Sequence, residues 1–337
     1  MNRVLSLILA MTLGVMAASA QNADEKIVAS YVTSWSEVMP DPSLLTQINY
    51  AFGHVTKTFD GVRIDNVPRL RQIVALKEQN PDLKVVLSIG GWGSGNFSEM
   101  AADSRNRRSF CKDCLKWCRK LGLDGIDIDW EYPGNGKGAR ISESPADKEN
   151  FTLLMKDLRK ALGKRRLLTL ASCCDPQYID FHAVEKYVNF VNLMTYDMSG
   201  GRKIHCALYD SELAGHWNTD SSVKAHIEAG VPRDKVVVGV PFYGKGLPEY
   251  KDMYDYNTIY PLREGLSEKW DDKAKAPYLV NGEGEYVFGF ENARSLELKV
   301  EYVRENGLRG IMNWEYGGDD EALTLTRIMH SLIADGQ

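Results

Sequence analysis

Apolar, β-branched runs alternate with amphipathic stretches along most of the chain. The runs fall at Lys26–Val32, Gln47–Val55, Leu83–Ile89, Leu123–Asp129, Leu167–Ser172, Val188–Met194, Lys235–Phe242 and Leu308–Trp314. Each has the length and residue types of a buried strand. Between most of them, apolar residues recur at helical spacing, in Pro68–Glu78, Arg105–Leu121, Ala146–Leu162, Ser221–Glu228 and Ala293–Glu305. A last helix is expected over about Asp320–Ala334. Eight strands alternating with helices predict an α/β fold, a (β/α)8 TIM barrel. A doubly wound open sheet shares the alternation, but no glycine-rich dinucleotide loop follows the first run. Gly90-Gly91 and Gly93 read as turn glycines rather than a phosphate cradle.

The long interruption runs from about Gly246 to Phe290. It contains short strand-like pieces, Ala276–Val280 and Glu285–Phe290, and predicts a small α+β insertion between the seventh and eighth strands, on the top edge of the barrel. No internal repeat or Pro/Ser-rich linker divides the rest, so residues 21–337 read as one catalytic domain. The first twenty residues differ. Arg3 precedes the apolar stretch Val4–Met11, and Ala18-Ser19-Ala20 closes it, the pattern of a signal peptide cleaved after Ala20. A retained anchor is the alternative. No other stretch is long and apolar enough to span a bilayer, so an exported protein, periplasmic or extracellular, is expected.

The hydrophobic share of 44% is that of a globular chain, and a formal charge of −5 with no basic run argues against a nucleic-acid partner. Cys111, Cys114 and Cys118 share one helix face with Phe110, Leu115 and Leu121, which predicts buried free thiols. No fourth ligand at matching spacing accompanies them, so no zinc site is expected. Cys173, Cys174 and Cys206 are candidates for a disulfide whose pairing the spacing does not fix.

Candidate chemistry concentrates at the ends of the runs, where barrels of this kind place their active sites. The fourth run ends Asp124-Gly-Ile-Asp127-Ile-Asp129-Trp-Glu131-Tyr-Pro. Strand alternation sends Asp127, Asp129 and Glu131 to one side and Ile126, Ile128 and Trp130 to the other. Acids crowded on one buried face repel unless they share protons or act on a ligand. A solvated acidic face or a metal site are the alternatives to paired-acid catalysis. The other run ends add Thr33-Ser34-Trp35, Phe52, Ser88-Ile-Gly-Gly-Trp92, Met194-Thr-Tyr196-Asp197, Phe242-Tyr243 and Trp314-Glu315. A rim of Trp, Tyr, Asp and Glu suits a carbohydrate, because aromatic faces stack on sugar rings while carboxylates take hydroxyls and move protons.

At this point the chain resembles a known family. Asp124-x-x-Asp127-x-Asp129-x-Glu131 is similar to the signature of family-18 glycoside hydrolases, the chitinases and their relatives. Ser88-x-Gly90-Gly91, Met194-x-Tyr196-Asp197 and Trp314 resemble the family's motifs at strands three, six and eight, in the same order. The resemblance implies a retaining enzyme acting on chitin or another N-acetylglucosamine-containing oligosaccharide, without cofactor or metal, working as a monomer. It implies Glu131 as general acid, and a substrate acetamide that attacks in place of a carboxylate nucleophile. Asp129 would steady the acetamide N–H, Tyr196 its oxygen end, and Asp127 would share a proton with Asp129. Trp314 would floor the site, with Asp197, Met194, Tyr243, Trp92, Tyr31 and Phe52 as further substrate-binding residues. Asp124 has the opposite strand parity from Asp127 and reads as structural.

Two departures from the family matter. Lys245 stands in Tyr243-Gly-Lys245 where the family often has Arg, and Lys lacks the bidentate fork. The insertion is also short, which implies a shallower cleft and mid-chain rather than end-wise cleavage. No carbohydrate-binding module accompanies the barrel, so soluble oligomers are the expected substrates rather than crystalline chitin. The competing readings are an endo-β-N-acetylglucosaminidase acting on N-glycans and an inactive sugar-binding lectin. The intact Glu131, Asp129 and Tyr196 argue against the second.

Overall fold

Each of the eight apolar runs forms a strand. The structure is a computed structural model, and it describes residues 25–199, 202–250 and 253–334. The strands are β1 (Ile27–Thr33), β2 (Gln47–Val55), β3 (Lys84–Gly90), β4 (Gly125–Asp129), β5 (Leu167–Cys173), β6 (Phe190–Met194), β7 (Val236–Pro241) and β8 (Gly310–Trp314). Every neighbouring pair is parallel, and β8 returns to β1 with Ile27 opposite Gly310, which closes the barrel. Closure leaves no parallel edge unpaired. A short strand, Val62–Ile64, runs antiparallel to the end of β2.

Alternation along the strands separates two cores. Val28, Val32, Ile126, Ile128 and Val238 face outward into a large apolar layer shared with the helices. Ile27, Ala29, Tyr31, Phe52, Tyr196 and Met312 belong to a smaller interior cluster. The main helices cover Val67–Ala75, Ser104–Leu121, Asp147–Leu162, Thr219–Glu228, Ala293–Glu305 and Thr324–Ala334. Helix ends differ from the periodicity where side chains cap them. The last helix starts at Thr324 rather than Asp320, because Asp320 accepts hydrogen bonds from the Thr324 amide and hydroxyl. Strand β6 starts at Phe190 rather than Val188, since Val188 closes a 3-10 turn over Glu185–Tyr187. Short helices at Phe97–Ala102 and Phe181–Val184 are too brief to leave a periodic signal.

The insertion between β7 and β8 is a five-stranded antiparallel sheet. Its order is Tyr254–Asp255, Tyr243–Gly246, Tyr286–Gly289, Ala276–Val280 and Ser267–Asp271, with a helix at Tyr256–Leu262. It begins earlier than the sequence pattern suggested, because β7 stops at Pro241 and Tyr243 already pairs in the new sheet. All six cysteines are unpaired; Cys111, Cys114, Cys118 and Cys206 are buried, and Cys173 and Cys174 are half-buried. No helix among the described residues is long and apolar enough to cross a membrane. The expected leader, residues 1–20, lies outside the described residues.

Candidate active site

The acid-rich segment is built by β4 and its two neighbours. Gly125 starts the strand against β5, where an added Cβ would lie 2.2 Å from the Leu167 carbonyl. Ile126 and Ile128 then turn outward, and Trp130 stacks on Phe97 with ring centroids 5.3 Å apart. Asp127 and Asp129 turn into the barrel, and Glu131 follows at its mouth. Asp124 stays outside: it pairs with Lys77 at 2.8 Å and accepts from the Val85 amide. The paired glycines let β3 lie against this end. Gly90 has φ 133°, and a Cβ there would sit 1.9 Å from the Asp129 carbonyl.

Asp127 is fully buried and takes four donors. Tyr31 (2.9 Å) and Ser88 (2.8 Å) donate to Oδ2, and Thr169 (2.6 Å) and Asn192 (3.2 Å) donate to Oδ1. Burial nevertheless outweighs these bonds and raises its pKa. Asp129 has no such shell. Its Oδ1 is buried and accepts no hydrogen bond from the described residues. Burial first, then the charges of Glu131 and Asp127, push its pKa well above the usual carboxylate range. Burial also raises Glu131 to about 7; a hydrogen bond with Tyr132 opposes the shift and the nearby Asp197 adds to it. Tyr132 in turn stacks on Tyr178 at 5.1 Å.

The segment after β6 faces these acids. Tyr196 is buried, and its hydroxyl is held protonated by desolvation and by the charges of Asp129 and Glu131. Asp197 follows with φ 58°. Burial raises its pKa, but His205, Lys245 and Tyr243 together draw it down to about 2. The Tyr243 hydroxyl donates to Asp197 Oδ1 at 2.7 Å, and the Lys245 ammonium lies 3.1 Å from the same oxygen. Lys245 therefore directs its point charge at a carboxylate. Opposite, half-buried Trp314 stacks on Phe52 with centroids 5.5 Å apart and leans on Tyr31 at 5.6 Å. Met194 packs beside them. Three cis peptides, Ala51–Phe52, Glu131–Tyr132 and Trp314–Glu315, lie at these strand ends.

The structure thus brings Asp127, Asp129, Glu131, Tyr196, Asp197, Tyr243, Met194, Phe52 and Trp314 to one mouth of the barrel. Tyr31 and Tyr243 are equally buried, at 2% exposure; the Tyr31 hydroxyl is taken by Asp127, behind the opening, and the Tyr243 hydroxyl by Asp197. Trp92 stands at the rim, 63% exposed and 6.3 Å from the Tyr132 ring. A cleft of about 470 Å³ opens beside it, lined by His54, Lys57, Arg63 and Asn96 among others. Thr169, Asn192 and His205 were not singled out from the sequence, and Tyr132 was read only as part of the Trp-Glu-Tyr-Pro motif, without a role in the site. Thr169 and Asn192 carried a signal, because each interrupts an apolar run at inward parity. His205 carried none. Among the described residues no group of three or more His, Cys, Asp or Glu is placed to hold a metal ion. The arrangement suits proton donation from a neutral carboxylic acid, with two further carboxyl groups able to offset positive charge above an aromatic floor.

Comparison with known proteins agrees with the barrel fold. A family profile described as Glycosyl hydrolases family 18 matches residues 27–319. Chitinase A1 of Niallia circulans is 30% identical over 95% of this chain, which spans 60% of that protein's length. Chitotriosidase-1 of Mus musculus is 30% identical, covering 86% of this chain and 72% of its own. A solved family-18 N-acetylglucosaminidase from Paenibacillus barengoltzii superposes with TM-score 0.83 at 33% identity, over 91% of this chain and all of the other.

Proposed function

The chain belongs to family 18 of the glycosyl hydrolases, and from that membership we propose a retaining hydrolase of β-1,4-linked N-acetylglucosamine, in chitin or chitooligosaccharides. The observation that carries the proposal is the pairing of Glu131, neutral up to about pH 7, with an Asp129 oxygen that no described group satisfies. The names of the chitinase and chitotriosidase relatives support the substrate class.

Glu131 gives its proton to the glycosidic oxygen as the bond to the anomeric carbon breaks. The substrate's own acetamide oxygen attacks that carbon and forms an oxazolinium. Holding nucleophile and carbon in one molecule avoids the entropy cost of a separate reactant. Asp129 Oδ1 accepts the acetamide N–H and offsets the positive charge, while the Tyr196 hydroxyl donates to the oxygen end. Asp127 is held by four donors, two on each oxygen, and takes a share of the Asp129 proton as one of the hydroxyl donors turns away. Water then attacks the anomeric carbon as the bond from that carbon to the acetamide oxygen breaks and its electron pair restores the acetamide; the water passes its proton to the Glu131 carboxylate, which restores the acid. Two displacements retain configuration. Trp314 and Phe52 form the apolar floor, with Met194, Asp197, Tyr243 and Trp92 as neighbouring contacts. Tyr31 supports Asp127 from behind. The apolar leader at Val4–Met11 supports export.

Chitotetraose and a high-mannose glycoprotein, incubated side by side and read by mass spectrometry, test the reading. Short N-acetylglucosamine oligomers from the first are expected. Glycan release with chitotetraose untouched would move the enzyme to the N-glycan class. Proton NMR of the first product formed is expected to show the β-anomer, and an initial α-anomer would overturn retention.

A further inference from the structure

We propose that His205 is a positioning residue for the active site, fixing the backbone and the carboxylate of Asp197 together. His205 is fully buried. Its Nδ1 lies 3.3 Å from the Asp197 amide nitrogen and 3.5 Å from Asp197 Oδ1. A bare Nδ1 accepts the amide N–H, and a protonated one donates to the carboxylate. Either way the ring is tied to the same residue. Asp197 needs such a tie, because a non-glycine residue at φ 58° persists only where its surroundings impose it.

The ring's own orientation points to this one task. Nε2 is buried and has no hydrogen-bond partner among the described residues. The ring face lies against Tyr243, centroids 5.4 Å apart, and Tyr243 donates to the same Asp197 oxygen. The segment that carries His205 is itself held on several sides. The Met198 amide donates to the His205 carbonyl at 3.1 Å, Ile204 to Leu213 at 2.8 Å, and the buried Lys299 ammonium to the Cys206 carbonyl. The titratable groups around it are Asp197 after β6, Tyr243 and Lys245 after β7, and Cys206, Glu291 and Lys299 behind.

The consequence reaches Glu131 through charge. Ionised Asp197 is a like charge that helps keep Glu131 protonated. An Asp197 that leaves its position takes that charge away, and the Glu131 pKa falls. The proposal rests on the reading of Glu131 as the acid, so the test includes a check of that reading.

Profiles of kcat/KM against pH on a fluorogenic chitooligosaccharide are measured for wild type, Asp197→Asn, His205→Leu, His205→Gln, His205→Asn and Glu131→Gln, with thermal midpoints alongside. The Asn amide reaches the Nδ1 position, whereas the Gln amide reaches only the Nε2 position. His205→Leu and His205→Gln are expected to lower kcat/KM by about tenfold. Their basic limbs are expected to move to lower pH, in the direction of Asp197→Asn, while His205→Asn keeps the wild-type limb. A limb identical to wild type in both the Leu and Gln variants would overturn the proposal, as would equal behaviour of Asn and Gln. Should the Leu variant fail to fold, the Asn–Gln comparison decides. An active Glu131→Gln would instead overturn the assignment of the acid.

Discussion

A carboxylic acid stays protonated near neutral pH in a dry setting or beside neighbours of its own sign, and Glu131 has both. With a folded-state pKa of about 7, turnover is expected at lower pH and lost as pH rises through 7, which a kcat/KM profile measures. Glu131→Gln is expected to cut kcat by about a thousandfold while chitooligosaccharide binding, followed by tryptophan fluorescence, persists. The same shift has a stability cost of opposite sense to the catalytic gain. A group whose pKa rises from 4.5 to about 7 on folding leaves stability whole below 4.5 and removes about 3 kcal/mol by pH 7. Glu131→Gln abolishes that ionisation, so its unfolding midpoint is expected to exceed wild type at pH 8 and to match it near pH 4.5. Equal midpoints at both values would mean that Glu131 ionises as freely as in water.

At the scale of elements, the site depends on how closely strand ends approach. The end of β3 runs against β4 so tightly that the Gly91 amide donates to the Asp129 carbonyl at 2.9 Å. Gly90→Ala would add a clash with that carbonyl to a φ of 133°. A loss of more than about 3 kcal/mol in chemical denaturation, or failure to fold, is expected. The strands themselves were legible in the sequence because inward and outward residues alternate with period 2. Asp127 and Asp129 against Ile126 and Ile128 is the clearest instance. Helices such as Ala293–Glu305 were legible through their apolar spacing. The early start of the insertion sheet at Tyr243 was not, since Phe242 and Tyr243 follow the apolar end of β7 without a break and the new strand's Gly-Lys-Gly carries no alternation.

At the scale of the whole molecule, a buried charge pair joins the helix before β8 to the segment behind the site. Lys299 and Glu291 are both under 2% exposed, bond to each other, and Lys299 also donates to the Cys206 carbonyl. Lys299→Met strands the Glu291 carboxylate in a dry interior and is expected to cost about 3–5 kcal/mol in urea unfolding. Adding Glu291→Leu is expected to recover most of that loss, because an apolar pair of similar size needs no hydration. A double variant as unstable as the single one would point to a packing rather than a charge defect.

The barrel, the parity of the acids and the identity of the groups that can move a proton were all readable along the chain. Those features follow from period and residue type, which are local properties of the chain. Which oxygen of Asp127 meets which donor, that Tyr31 lies behind the site, and that His205 meets Asp197 emerge once the chain is folded. The Asp127 contacts join residues far apart in the chain, as Tyr31 and Asn192 do, and His205 reaches Asp197 across a segment with no periodic signal. The site also depends on burial, which sets the charge of Glu131 and Asp129 and has no counterpart in a string of residues.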